Sequence, residues 1–112
     1  MTVQSFTRGS DFDAQGIQTM VITETPFSKE IRVLLPKDQV MKDHKSPFPI
    51  VIFIVDGHVE LGIGDSFYLM QSGDIIDLPA GTIHNLVAKE NTIIRLTLSK
   101  SDKVERVNKA AI

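Results

Sequence analysis

The sequence predicts a single all-β domain, a sandwich or closed barrel of antiparallel strands. Three observations carry that prediction. Segments rich in β-branched and aliphatic residues recur from Ile17 to Leu98. Turn signals built on Gly, Pro and Asp separate them about every 8–10 residues. The chain has 112 residues, 42% of them hydrophobic, which is enough for one core and too little for two.

The elements follow in order. Residues 1–16 are polar with two glycines and read as an N-terminal arm, residues 17–99 as the barrel, and residues 100–112 as a tail. Met20–Thr25 and Ile31–Pro36 read as strands. Pro26 and Pro36 end them, because proline has no N–H for the ladder. Ile50–Val55 is apolar on both faces, so both must be covered. One face, Ile50, Ile52 and Ile54, can line the interior. For Val51, Phe53 and Val55 a second copy of the chain is the expected cover, giving a homodimer.

Asp56-Gly57 supports positive φ and reads as a hairpin turn. His58–Ile63 alternates, with Val59, Leu61 and Ile63 on one face and His58 and Glu60 facing outward. Gly64-Asp65 is a second turn signal, leading into Ser66–Met70. Phe67, Tyr68, Leu69 and Met70 are all apolar enough to face in. Parity therefore leaves Tyr68 open between a pocket position and a core position with its hydroxyl at the rim. Gly73-Asp74 turns the chain into Ile75–Pro79, and His84–Ala88 and Thr92–Leu98 complete the strands. In the tail, Val104 and Val107 share a helical face, so it reads as a short helix or a frayed end.

Composition narrows the function. The net charge is −2, both signs are mixed and no Lys/Arg cluster occurs, which argues against nucleic acid as a partner. No apolar run approaches the roughly 20 residues needed to span a bilayer. The first residues lack the apolar centre of a signal peptide, so cytoplasmic residence is the expectation. Cysteine is absent, which excludes disulfides and thiolate metal sites.

One stretch carries chemistry: GDIIDLPAGTIHNL, residues 73–86. Gly73 and Asp74 turn the chain into a strand in which Ile76 and Leu78 point inward. Pro79 stops ladder pairing and Gly81 allows the tight turn back. His84 then re-enters at the start of the next strand, facing the mouth of the barrel. The spacing Gly73-x5-Pro79-x-Gly81-x2-His84 resembles the second motif of the cupins. Asp38-x5-His44 followed by Gly57 resembles their first motif in outline. The resemblance covers about residues 31–98, and His44 followed by Pro47 and Pro49 is similar to a group of small single-domain cupins. It implies a double-stranded β-helix, the jelly-roll cupin barrel, commonly dimeric.

The resemblance also implies a ligand set of three histidines and one glutamate for a metal. Placed residue by residue, His44 takes the first histidine position, Ser46 the second, Ile50 that of the glutamate, and His84 that of the last histidine. Two of four protein ligands survive. Neutral imidazole suits zinc, iron and nickel, and manganese completes the set of divalent candidates. A catalytic site normally has three protein ligands, however, so binding is expected to be weak or absent.

Three readings of function follow. The first is a small-molecule-binding domain with Ile50, Ile52 and Ile54 as apolar walls, Ser46 and Tyr68 beside them, and His44 and His84 as the polar end. The second is a metal-dependent enzyme of dioxygenase or isomerase type, using His44 and His84. The third is a structural or interaction dimer. If the imidazoles bind metal, affinity should fall as pH drops through about 6.5; if they bind an anion as imidazolium, it should rise.

Overall fold

The computed structural model describes residues 1–12 and 16–111. Nine strands precede one helix among them: β1 (Gln18–Glu24), β2 (Ser28–Leu35), β3 (Val40–His44), β4 (Ile50–Asp56), β5 (His58–Ile63), β6 (Ser66–Gln71), β7 (Ile75–Leu78), β8 (His84–Ala88), β9 (Thr92–Ser99) and α1 (Val104–Ala110). They form two antiparallel sheets, one in the order β1-β2-β9-β4-β7 and one in the order β3-β8-β5-β6. The sheets face one another as a jelly roll, which agrees with the all-β fold that the turn spacing predicts.

Alternation places the core between the sheets. Ile31, Val33 and Leu35 of β2, Ile50, Ile52 and Ile54 of β4, and Ile94, Leu96 and Leu98 of β9 meet Met41, Val59, Leu61, Met70, Leu86 and Ala88 from the other sheet. Burial of this aliphatic area is the main stabilising term. Ile76 and Leu78 lie on the inner face as expected, opposite Ile52 and Ile50. Val59 and Leu61 are inward and fully buried, so His58 and Glu60 take the outer face.

The three glycine turns do different things. Gly64-Asp65 closes a true hairpin, with Ile63 opposite Ser66. Asp56-Gly57 does not: β4 pairs with β7 and β9, whereas β5 pairs with β6 and β8, so this turn carries the chain from one sheet to the other. Gly57 has φ +124°, and a Cβ there would lie 2.4 Å from Thr92 Oγ1 and 2.7 Å from Thr92 Cα. Both the backbone angle and the space demand glycine. Gly73-Asp74 is likewise a crossing, pinned to β4 by Gly73 N–H donating to Ile54 O at 2.7 Å.

The arm lies on the outer face of the five-stranded sheet. Arg32, 7% exposed, donates to the carbonyls of Arg8 and Gly9 at 3.0 and 3.3 Å. Arg95 stacks over the Phe6 ring and donates to Glu30 at 2.9 Å. The arm thus supplies part of the cover on the outer face of this sheet, whereas Val51, Phe53 and Val55 of β4 stay half-buried. The last of the arm, residues 13–15, lies outside the described residues. No helix of the described residues is long and apolar enough to cross a membrane.

The tail forms a helix rather than a frayed end. Val107 and Ala110 of α1 are buried in the core cluster and Val104 packs against it. Asp102, just before the helix, is 2% exposed and accepts from Ser46 Oγ at 2.6 Å, from the Lys103 N–H at 2.8 Å and from the Arg106 guanidinium at 3.0 Å. One buried carboxylate ties the helix start to the loop after β3.

Candidate functional site

His44 and His84 face each other across the β3–β8 ladder as direct register partners. His84 follows from the alternation of β8, where Leu86 and Ala88 are also inward. His44 needs a device. Met41 is inward and His44 is three residues on, so a regular strand would turn His44 out and Asp43 in. Met41 pairs with Leu86 and His44 with His84, three steps on one strand against two on the other. This β-bulge absorbs the extra residue and re-aims His44. The ring centroids are 4.1 Å apart with the planes tilted by 53°.

Each ring is oriented by a carbonyl two residues upstream. His44 Nδ1 lies 2.6 Å from Lys42 O, and His84 Nδ1 lies 2.9 Å from Thr82 O. A carbonyl can only accept, so each Nδ1 carries the proton and each neutral ring keeps its lone pair on Nε2. Neither Nε2 has a partner among the described residues, and neither is sealed as His58 Nε2 is. Burial is the largest influence on both rings and lowers both pKa values; the Arg106 charge adds to it, and for His84 the neighbouring His44 as well. The carbonyl hydrogen bonds oppose the shift without cancelling it. His84 falls to about 4, and His44 is lowered from its usual value. Both rings are therefore neutral at pH 7.

Beside His44 lies a cavity of about 450 Å³ between β3 and α1, lined by Lys42, Asp43, His44, Arg106 and Lys109 among others, with His84 behind His44. Asp43 accepts from Asn85 Nδ2 at 2.8 Å. Arg106 is anchored to Asp102, yet its Nη1 is sealed and unpartnered.

The other positions named from sequence do not join this cavity. Ile50, Ile52 and Ile54 are 3%, 0% and 0% exposed and packed into the core, so the interior at their level is filled by side chains and is not an apolar pocket. The hydroxyl of Ser46 is spent on Asp102 and on accepting the Phe48 N–H, 3.0 Å away. Tyr68 has inward parity, opposite Leu61, but β6 ends its sheet. Tyr68 is accordingly 46% exposed and lines a separate cleft with Ile75 and Ile76. Sequence reasoning missed Arg106 and Asp102. The signal available was an Asp followed four residues later by an Arg at the start of the Val104/Val107 helical pattern.

The donor set does not fit a catalytic metal. Two imidazole Nε2 atoms are available, but the glutamate position is the core residue Ile50, and Ser46 is occupied elsewhere. Among the described residues no group of three or more His, Cys, Asp or Glu could hold an ion.

No protein-family model matches the chain, and no curated protein matches it in sequence. Solved structures do match. An RmlC-like cupin protein from Desulfovibrio desulfuricans superposes with a TM-score of 0.79 at 19% identity, over 88% of this chain and 96% of that one. A conserved protein of unknown function from Streptococcus pyogenes gives 0.77 at 24% identity, over 91% and 90%. KdgF from a Halomonas species gives 0.68 at 25% identity, over 80% and 85%.

Proposed function

Because this chain has the fold of the small single-domain cupins, we propose that it is a small-molecule-binding domain whose site is the cavity between β3 and α1. The observation that carries this reading is the neutral His44–His84 pair, with both Nε2 lone pairs uncommitted, beside a cavity of about 450 Å³. His44 lines that hollow, with His84 packed behind it, and an oriented acceptor in a partly apolar hollow is what a small-molecule site requires. The ligand binds without a catalytic metal, since two imidazoles leave an ion mostly hydrated and give no carboxylate to balance it.

The test pairs metal analysis of the purified protein with imidazole NMR during a small-molecule screen. The expected result is no stoichiometric metal, together with compounds that shift the His44 and His84 ring signals. His44→Ala and His84→Ala should each weaken those compounds and leave the sheets intact, because Pro79 and Gly81 define the turn without either ring. A metal at one equivalent per chain would favour the enzyme reading instead. The filled interior around Ile52 and Ile54 supports a second reading, a structural or interaction domain. A screen that leaves both rings unmoved would select it.

A further inference from the structure

Arg106, which the cupin-like motifs do not include, bears on the class of ligand. Its side chain is 16% exposed and bonded to the buried carboxylate of Asp102. Its Nη1 is nevertheless sealed with no acceptor, which is costly for a guanidinium N–H. Arg106 and His44 line the same cavity, and three more cations, Lys42, Lys103 and Lys109, line it with them. Against these four stand Asp43 and Glu105 on the cavity wall, and Asp102 behind Arg106. One positive charge is left over.

Neutral imidazole constrains the ligand from the other side. With Nδ1–H given to a carbonyl, His44 offers only a lone pair. A carboxylate oxygen would be repelled there, whereas a ligand O–H would be accepted. We infer that the cavity takes a small hydroxylated carboxylate with a single negative charge, its carboxylate on the Arg106 side and a hydroxyl donating to His44. A phosphate dianion would exceed the charge available, and a divalent metal would be repelled by the guanidinium. This inference rests on reading the cavity as the ligand site.

The probes are gluconate, its neutral counterpart sorbitol, inorganic phosphate and zinc ion, each titrated into the 112-residue chain and followed at the His44 ring. Gluconate should bind at least about tenfold more tightly than sorbitol, the margin of one charge-assisted hydrogen bond. Arg106→Gln should remove that margin and leave sorbitol unchanged, while Arg106→Lys should keep most of it. The lysine variant guards against a trivial loosening of α1, which hydrogen exchange over residues 104–110 would reveal. Equal binding of gluconate and sorbitol would overturn the anion class and leave the cavity as a ligand site. Phosphate binding tenfold more tightly than gluconate, or stoichiometric zinc, would overturn the proposed class directly. No response at His44 to any probe would sink both this inference and the ligand-site reading.

Discussion

His84 couples the site to stability through its proton. The folded ring titrates at about 4, held there chiefly by burial and by the nearby His44 and Arg106 charges, whereas an unfolded histidine titrates near 6.5. Between those values the unfolded chain binds the proton and the folded chain does not. Stability is therefore full above pH 6.5 and falls as pH drops toward 4. The loss should approach about 3 kcal/mol over that interval, from roughly 1.4 kcal/mol per unit. Asp102 and Glu30 behave differently. Burial pushes both carboxyls up, but hydrogen bonds outweigh it and leave both below their usual values: Arg106, Ser46 and Lys103 for Asp102, and Thr97, Ser28 and Arg95 for Glu30. Their contribution is lost as pH falls through the ordinary carboxylate range and below it. Urea denaturation from pH 7 to 5 should show chiefly the histidine component, to which His44 also contributes, and His84→Gln should reduce it. The same shift corrects the sequence expectation for ligand binding. With His84 neutral down to about 4, no imidazole-driven change in affinity at His84 is expected at pH 6.5.

At the scale of elements, the turn between β4 and β5 is the least tolerant point. Gly57→Ala combines a φ of +124° with a Cβ driven into Thr92 Cα and Asn91 O. Neither is the far end of a flexible side chain. The expected cost is about 3 kcal/mol or more, read as a lowered melting temperature or loss of soluble protein. By contrast Gly64→Ala meets open space, so only its backbone angle is strained and the loss should be smaller. These turns also show what sequence could reveal. Asp-Gly and Gly-Asp punctuation was legible because turn chemistry is local, and it placed β4 through β9 well. Whether a turn closes a hairpin or crosses between sheets was not legible, because that depends on strands far along the chain. β3 escaped notice because Lys42 and Asp43 interrupt its apolar pattern and the bulge breaks the period of two. The His84 position was readable from its motif, whereas Arg106 acquires its place through Asp102 and Ser46, 56 residues apart.

For the whole molecule, the question is what lies against the five-stranded sheet. Phe6 and the Arg8 and Gly9 carbonyls cover the Arg32–Arg95 region, whereas Phe53 and Val51 border a shallow hollow with Ile75. The homodimer expected from the two-faced β4 remains our proposal for the rest of that face. Sedimentation at micromolar concentration should give a dimer, and Phe53→Glu should yield a monomer, since a charge on an apolar contact forfeits both packing and hydration. A monomeric parent protein would leave the arm as the sole cover. Removal of residues 1–9 should then lower the melting temperature by several degrees, because Arg32 would lose both of its carbonyl acceptors.

The attachment of α1 has a consequence for rates. The helix is seven residues long and meets the body through Val104, Val107, Ala110, the Thr19–Asn108 hydrogen bond and the Asp102 carboxylate, while both imidazoles are oriented by carbonyls two residues upstream of them. Detaching this terminal helix leaves the sheets and the ring orientations in place, so it is an opening the molecule can make without unfolding the barrel. Arg106 travels with it. If ligand entry beside His44 and Arg106 requires that opening, association cannot outrun it. In stopped flow the observed rate for gluconate should level off at high concentration instead of rising linearly. Asp102→Asn should raise the plateau. A linear rise to millimolar ligand would mean the site is reached with the helix in place.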